Sequence, residues 1–234
     1  MKIALLGYGK MGKEIEKAAI QRGHEIILRI DEDSDPYDIS IADIAIDFSI
    51  PDAAYENITN CIKNKVPVIS GTTGWLDKYA EVKKLCLQKD GAFIYASNFS
   101  LGVNIFFELN RQLAKLMYHS NDYTVSVEEI HHTEKLDAPS GTAITLAEEI
   151  IDNSDKTNWG LNGTTSKSTI PIHAKRVPEV PGTHTISYRS DIDSIAIKHI
   201  AHNRKGFALG AVAAAEWLRS KKGVFTMKDV LEIG

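Results

Sequence analysis

The stretch Glu128–Thr142 reads EEIHHTEKLDAPSGT and concentrates groups that move protons or bind anions. His131 and His132 carry imidazoles, the side chains whose ordinary titration lies near neutrality. In an extended chain adjacent residues face opposite sides, so the two imidazoles should not share one role. Lys135 brings an ammonium that can balance an anionic substrate and also give up a proton. Ser140 is placed to cap a helix that Gly141 and Thr142 would open. The amides of such a first turn make a carboxylate site. A zinc site is the rival chemistry for a His-His pair. The helical HExxH spacing and the nearby cysteine ligands it would use are absent, so no metal is expected.

A second cluster of chemistry lies at the start of the chain. Gly7-Tyr8-Gly9-Lys10-Met11-Gly12 is a GxGxxG run that follows the apolar segment KIALL and opens a helix-patterned one. Glycine is needed there for a tight turn, for close backbone approach to a pyrophosphate and for close helix–strand packing. The helix N-terminus then offers amides and a partial positive charge to the phosphates. Asp31 ends the next strand-like run, where an acid accepts hydrogen bonds from the adenosine ribose. Glu32, Asp33 and Asp35 follow it, and this acidity favours NADH, while Lys10 and Arg29 pull towards NADPH. Two further strand-end loops are candidate coenzyme contacts. They are Gly71-Thr72-Thr73 and Ala96-Ser97-Asn98-Phe99, the latter reading equally well as a turn with Phe99 in the core.

These groups need a scaffold, and the hydrophobic pattern supplies one. KIALLG (2–7), EIILRI (25–30), ADIAIDFS (42–49), VPVISGT (66–72) and AFIYAS (92–97) read as buried strands. Lys10–Arg22, Asp52–Asn64 and Leu76–Lys89 between them have apolar residues at helical spacing. Such β-α-β alternation predicts a parallel sheet with helices on both faces, a Rossmann-type α/β domain. From 101 the pattern changes to a helix over 101–118, an alternating strand at 123–130 and a helix at about 142–151. IPIHAKRV, HTISYRS and DSIAIKHIAH are three further strand-like runs. They predict an α+β unit whose mixed sheet is mostly antiparallel. Residues 152–169 hold only Trp159 and Leu161 as large apolar groups and read as a mobile loop. The small-residue helix at 206–219 suits close packing on the first sheet. The resulting division is a discontinuous dinucleotide-binding domain, 1–100 with 206–234, and an inserted substrate-binding and oligomerisation domain, 101–205.

Composition excludes several other functions. The 234 residues are 43% hydrophobic and 25% charged, with net charge −4, which argues against a nucleic-acid or acidic-membrane binder. Cys61 and Cys86 are too few for a disulfide framework and read as buried free thiols of a cytoplasmic protein. The longest apolar run, 207–215, is far too short for a membrane span. The apolar core at 3–6 is too short for a signal peptide.

Taken together, the segment from Glu129 to Thr142 resembles the E-x-H-H-x-x-K-x-D-A-P-S-G-T signature of the dihydrodipicolinate reductase family. The likeness extends through GYGKMG, IDFS (46–49), GTTG (71–74), ASNFSLGVN (96–104) and FALGAVAAAEWL (207–218), nearly the whole chain. It implies a cytoplasmic, homotetrameric reductase using NADH, NADPH or both on a small dicarboxylate in diaminopimelate and lysine biosynthesis. By position it implies His131 as proton donor and acceptor and Lys135 as the residue that protonates the substrate. His132, with Ser140, Gly141 and Thr142, falls at the dicarboxylate site. Gly7–Gly12, Asp31, Gly71–Thr73 and Ala96–Phe99 fall at the coenzyme. The glycine loop is one residue shorter than the commoner family form, and the stretch after Asp31 is abbreviated. Both departures lie where coenzyme choice is decided.

Overall fold

The computed structural model describes residues 1–163 and 166–233, which form two units, Met1–Leu101 with Arg204–Gly234 and Gly102–Asn203. In the first, β1 (Lys2–Leu6), β2 (Glu25–Ile30), β3 (Ile44–Asp47), β4 (Val68–Ser70) and β5 (Ala92–Tyr95) are joined by α1 (Lys10–Gln21), α2 (Pro51–Lys63) and α3 (Tyr79–Gln88). After the inserted unit come α6 (Lys205–Leu218), β11 (Gly223–Phe225) and α7 (Met227–Leu231). The sheet runs β11-β5-β4-β3-β1-β2 with every described pair parallel. This is the Rossmann-like α/β architecture that the alternating pattern implies.

Strand alternation divides the apolar residues between the two faces. Ile3, Leu5, Ile44 and Ile46 pack under α1 and α6, while Ala4, Leu6, Ala45 and Val68 pack under α2 and α3. Burial on both faces explains why these strands read as unbroken apolar runs. Alanines line α6, and at Gly210 a Cβ would fall 1.8 Å from the Phe99 carbonyl oxygen, so only glycine lets the helix approach there. Cys61 and Cys86 are both free and buried.

Two local features shape the ligand end of this sheet. The order reverses between β1 and β3, and open α/β sheets bind ligands outside the strand ends at such a switch point. The other feature is a β-bulge. Ile3 pairs with Ile26, but Ala4 pairs with Leu28, so Ile27 is an extra residue in β2. Ile26 faces the α1/α6 side, whereas Ile27, Leu28 and Ile30 all belong to the α2/α3 side. A bulge re-aims the residues beyond it, and Arg29 emerges on the α1 side, bonded to Glu16 of that helix.

The second unit contains α4 (Leu101–Met117), β6 (Thr124–His131), α5 (Gly141–Ile151), β7 (Asn158–Leu161), β8 (Thr169–Arg176), β9 (Gly182–Arg189) and β10 (Ser194–Ala201). Its sheet, β10-β9-β6-β8-β7, is mixed, with β6–β9 and β9–β10 antiparallel and β6–β8 and β7–β8 parallel. Hairpin succession therefore holds only for β9 and β10, because β6 separates β8 from β9. The expected loop at 152–169 is corrected by β7. This short edge strand sits on β8 and carries too few apolar groups to show an alternating pattern. Thr164 and Thr165 of that stretch lie outside the described residues.

The end of β3 is tied by a polar cluster. Asp47 is fully buried, and its carboxyl accepts from Ser49 Oγ (2.6 Å), Asn57 Nδ2 (3.2 Å), Ser70 Oγ (2.7 Å) and Thr72 Oγ1 (2.8 Å). Burial pushes this carboxyl upward in pKa, against the pull of its four donors. The cluster joins the loops after β3 and β4. Removing the acceptor would strand several buried donors. Asp47→Ala is therefore expected to lower stability by about 2–4 kcal/mol in urea unfolding. A loss below about 1 kcal/mol would mean the cluster is not a structural tie.

Candidate active site

The inward face of β6 carries Val125, Val127, Glu129 and His131, in strict alternation with more exposed neighbours. Two valines followed by a carboxylate and an imidazole turn an apolar face into a reactive one at the strand's end. Glu129 has no exposed surface. Its Oε2 accepts the Ser140 amide at 3.0 Å, and its Oε1 takes both terminal nitrogens of Arg176 at 3.3 Å. Arg176, at the end of β8, also donates to the carbonyls of Lys135 (3.3 Å) and Asp137 (2.6 Å). The loop from β6 to α5 is thus fastened by one guanidinium. Ser140 caps α5, its Oγ accepting the Ala143 amide at 3.2 Å, a contact of about 1 kcal/mol. Gly141 and Thr142 open the helix, at positions whose amides α5 itself does not use.

His131 Nδ1 lies 3.5 Å from Glu129 Oε2, and His184 Nε2 lies 3.9 Å from the same oxygen and 3.3 Å from Ser140 Oγ. The two imidazoles meet edge to face with centroids 5.0 Å apart. Burial pushes both down in pKa, His184 to about 3, and Glu129 only partly opposes this at His131. Both rings are therefore neutral at neutral pH. His131 Nδ1 is buried without a hydrogen bond, and a proton there would face the Glu129 carboxylate and leave Nε2 as an acceptor. That edge lies over Gly182, where a Cβ would come 3.2 Å from Nε2. Lys135 Nζ donates to both oxygens of Asp137 at 2.8 Å. Burial works against the Asp137 charge, but Lys135 outweighs it and holds the carboxyl below its usual range.

Glu129, His131 and His184 present ligand-type atoms within 4.8 Å of one another. The Arg176 guanidinium and the Ser140 amide already occupy the two carboxylate oxygens. Another cation, Lys135, acts on both rings. This is the charge balance of a proton-handling cluster, not of a dication site.

In the first unit the glycine loop fits a pyrophosphate. At Gly7 (φ +95°) a Cβ would fall 2.1 Å from the Phe48 carbonyl oxygen, and at Gly12 it would fall 2.3 Å from the Gly7 carbonyl oxygen. At Gly9, the N-cap of α1, it would meet nothing within 4 Å. Two glycines close the turn, and the third leaves room above the helix start. Tyr8 belongs to this loop, Lys10 and Met11 open α1, and Asp31 follows β2, its Oδ1 accepting from Ser34 Oγ at 2.9 Å. Gly71 lies against the Phe48 ring, Thr72 belongs to the Asp47 cluster, and Trp75 Nε1 pins the loop through the Thr72 carbonyl at 2.7 Å. Thr73 is exposed. Ala96, Ser97 and Asn98 follow β5, with Asn98 Oδ1 accepting the Ser100 amide at 2.9 Å. Phe99 is buried, its ring 5.7 Å from that of Phe48, so it packs the core.

The structure thus gathers His131, Lys135 and Ser140 around Glu129. His132, half-buried, is the next residue along the loop. Sequence reasoning gave Glu129 no role, and it set aside the segment Arg176–His184, whose likeness to the family's Arg/Gly/His loop is partial, with Pro178 where glycine is common. Glu129 was visible as an acid at an inward strand position. Arg176 and His184 lie more than 40 residues away in the chain, and only the β6–β8 and β6–β9 pairings bring them in.

Two models of the same family match this chain: "Dihydrodipicolinate reductase, N-terminus" over residues 35–99 and "Dihydrodipicolinate reductase, C-terminus" over 102–231. The glycine loop and Asp31 precede the matched span. A 4-hydroxy-tetrahydrodipicolinate reductase from Christiangramia forsetii is 57% identical over 99% of this chain and 98% of its own length. One from Thermosipho africanus is 35% identical with the same coverage. The solved dipicolinate-bound dihydrodipicolinate reductase of Paenisporosarcina sp. TG-14 shares the fold, with a TM-score of 0.74 at 23% identity over 97% of each chain.

The depressed histidines link this site to stability. Below the ordinary histidine value of 6.5 the unfolded chain takes up protons that the folded cluster refuses, so stability is lost as pH falls from there towards about 3. The melting temperature is expected to drop between neutral pH and about 5, and His184→Gln should drop less over the same interval. Parallel curves for the two proteins would show that His184 does not carry the effect.

Proposed function

This chain belongs to the dihydrodipicolinate reductase family, and we propose that it reduces 4-hydroxy-tetrahydrodipicolinate with NADH or NADPH through the loop joining β6 to α5. The reaction belongs to the diaminopimelate route of lysine biosynthesis. The observation that carries this reading is the convergence on Glu129 of an imidazole, an ammonium-bearing loop and a capped helix start.

The nicotinamide, when bound on the first unit, supplies the hydride. Gly7–Gly12 hold the pyrophosphate, Asp31 the adenosine ribose, and Gly71–Thr73 with Ala96–Asn98 the strand-end side of the coenzyme. Phe99 supports that turn from the core. The rest is the work of the β6–α5 loop. The substrate is a conjugated cyclic imine with two carboxylates once its 4-hydroxyl has left as water. Hydride addition leaves an electron-rich carbon or nitrogen that must be protonated. Lys135 is the donor, held for the task by Asp137. His131, neutral through burial, accepts and returns protons at Nε2 while Glu129 faces its other nitrogen. His132, Gly141 and Thr142 bind a substrate carboxylate, using the positive end of α5. Ser140 shapes this turn rather than binding through its amide, which Glu129 takes.

The solved structural relative holds dipicolinate, a planar dicarboxylate, and we carry that ligand class to this chain. A homotetrameric cytoplasmic enzyme is the accompanying reading. Exposed Ile105, Leu109 and Leu116 on α4 and Ile195 and Ile200 on β10 support self-association through the second unit. Among the described residues no helix is long and apolar enough to cross a membrane.

Two measurements test the assignment. Lys135→Ala and His131→Ala should each lower kcat by about 10²–10⁴-fold, read from NADH absorbance, while coenzyme binding persists. Unchanged turnover in both would remove this loop from the chemistry. Dipicolinate should inhibit competitively with substrate, and inhibition that substrate cannot relieve would place the dicarboxylate site elsewhere.

A further inference from the structure

Two charges of opposite sign compete for the adenosine end of the coenzyme. Asp31, just past β2, favours a ribose with both hydroxyls free. Arg29, two residues earlier on the same side of the strand, is the cation a 2′-phosphate would require. The structure shows that Arg29 is already engaged. Its Nε donates to Glu16 Oε1 at 2.9 Å, a terminal nitrogen donates to the same oxygen, and the Tyr8 hydroxyl donates to Glu16 Oε2. The guanidinium carbon lies 5.8 Å from the centre of the Tyr8 ring, a cation–π distance. The Glu16 side chain is 15% exposed and that of Arg29 43%, so the pair lies at the surface with its acid the more covered partner. Arg29 first and Tyr8 second hold the Glu16 carboxyl below its usual range. Asp31 is meanwhile fixed at the strand end, since its amide donates to Ser34 Oγ and that hydroxyl returns to its carboxylate, both at 2.9 Å.

We propose that Glu16 determines coenzyme choice: by holding Arg29 on α1, with Tyr8 as a third member, it withholds that cation from a 2′-phosphate and leaves Asp31 to select NADH. Glu16 acts through Arg29 and is a positioning residue. The phosphate of NADPH carries close to two negative charges at neutral pH and would meet Asp31 with the Arg29 guanidinium held by Glu16. The inference rests on the dinucleotide reading of the glycine loop and goes beyond it by naming which dinucleotide is taken and why.

The test is equilibrium binding of NADH and of NADPH to the full chain without substrate, followed by protein fluorescence. The natural protein should bind NADH about tenfold more tightly than NADPH. Glu16→Ala should bring the two dissociation constants to within about twofold by tightening NADPH, with that for NADH nearly unchanged. Adding Arg29→Ala to Glu16→Ala should restore the original preference. Glu16→Gln, which keeps the shape and loses the charge, should move the ratio in the same direction and guards against a packing defect in the alanine variant. Equal binding of both coenzymes by the natural protein would overturn the proposal. So would a ratio unmoved in both Glu16 variants, or a shift that survives removal of Arg29. If neither coenzyme binds, the dinucleotide reading fails along with it, an outcome distinct from binding with an unmoved ratio.

Discussion

A carboxylate with no exposed surface in the middle of a sheet must have its oxygens satisfied from within, and the second unit is arranged around that demand at Glu129. The partners come from three directions. β6 carries the acid, β8 ends on Arg176, α5 begins on the Ser140 amide, and β9 brings His184. Parallel pairing of β8 and antiparallel pairing of β9 on either side of β6 put Arg176 and His184 within reach of one residue. The mixed character of this sheet is thus a requirement of the site. The same carboxylate lies 3.5 Å from His131 Nδ1, so the group that locks the loop also faces this imidazole.

The first unit uses a related device with neutral partners. Asp47 sits at the end of β3, and hydroxyls and an amide from Ser49, Asn57, Ser70 and Thr72 close around it. Hydrogen bonds from neutral groups satisfy a buried acid without the large desolvation cost of a buried cation. In each unit a buried acid anchors the loops at the ends of strands, where α/β and mixed sheets hold their ligands. Rigidity at these loops converts binding into orientation, the part of catalysis a protein scaffold can supply.

Much of this was legible in the chain because local physics decides it. The four inner strands of the first unit's parallel sheet, β1, β3, β4 and β5, are buried on both faces and read as apolar runs. α1 and α2 carry helical periodicity, and Ser140 marks the start of α5. The His-His-x-x-Lys segment and the glycine loop are contiguous, so their chemistry shows in one glance along the sequence. Contacts made at long range stayed hidden. Nothing local marks Arg176 as the partner of Glu129, or Asp47 as more than the last residue of an apolar strand. β7 was missed because Asn158–Leu161 offers an edge strand almost no pattern, and its pairing partner Thr169–Arg176 decides its conformation. The partnership of Glu16 and Arg29 was equally invisible, since the face on which Arg29 emerges depends on the bulge at Ile27.

That bulge has a wider consequence. A strand has two faces, so the direction of whatever leaves its end depends on whether the number of residues before it is odd or even. Ile27 sets that parity in β2, and Arg29 and Asp31 inherit it together. Loss of a single residue from this strand would act like a frameshift in three dimensions. Every amino-acid type would remain, while the guanidinium would change sides of the sheet and part from Tyr8 and Glu16. The placement of the Arg29–Glu16 pair is therefore written in strand length as well as in side chains.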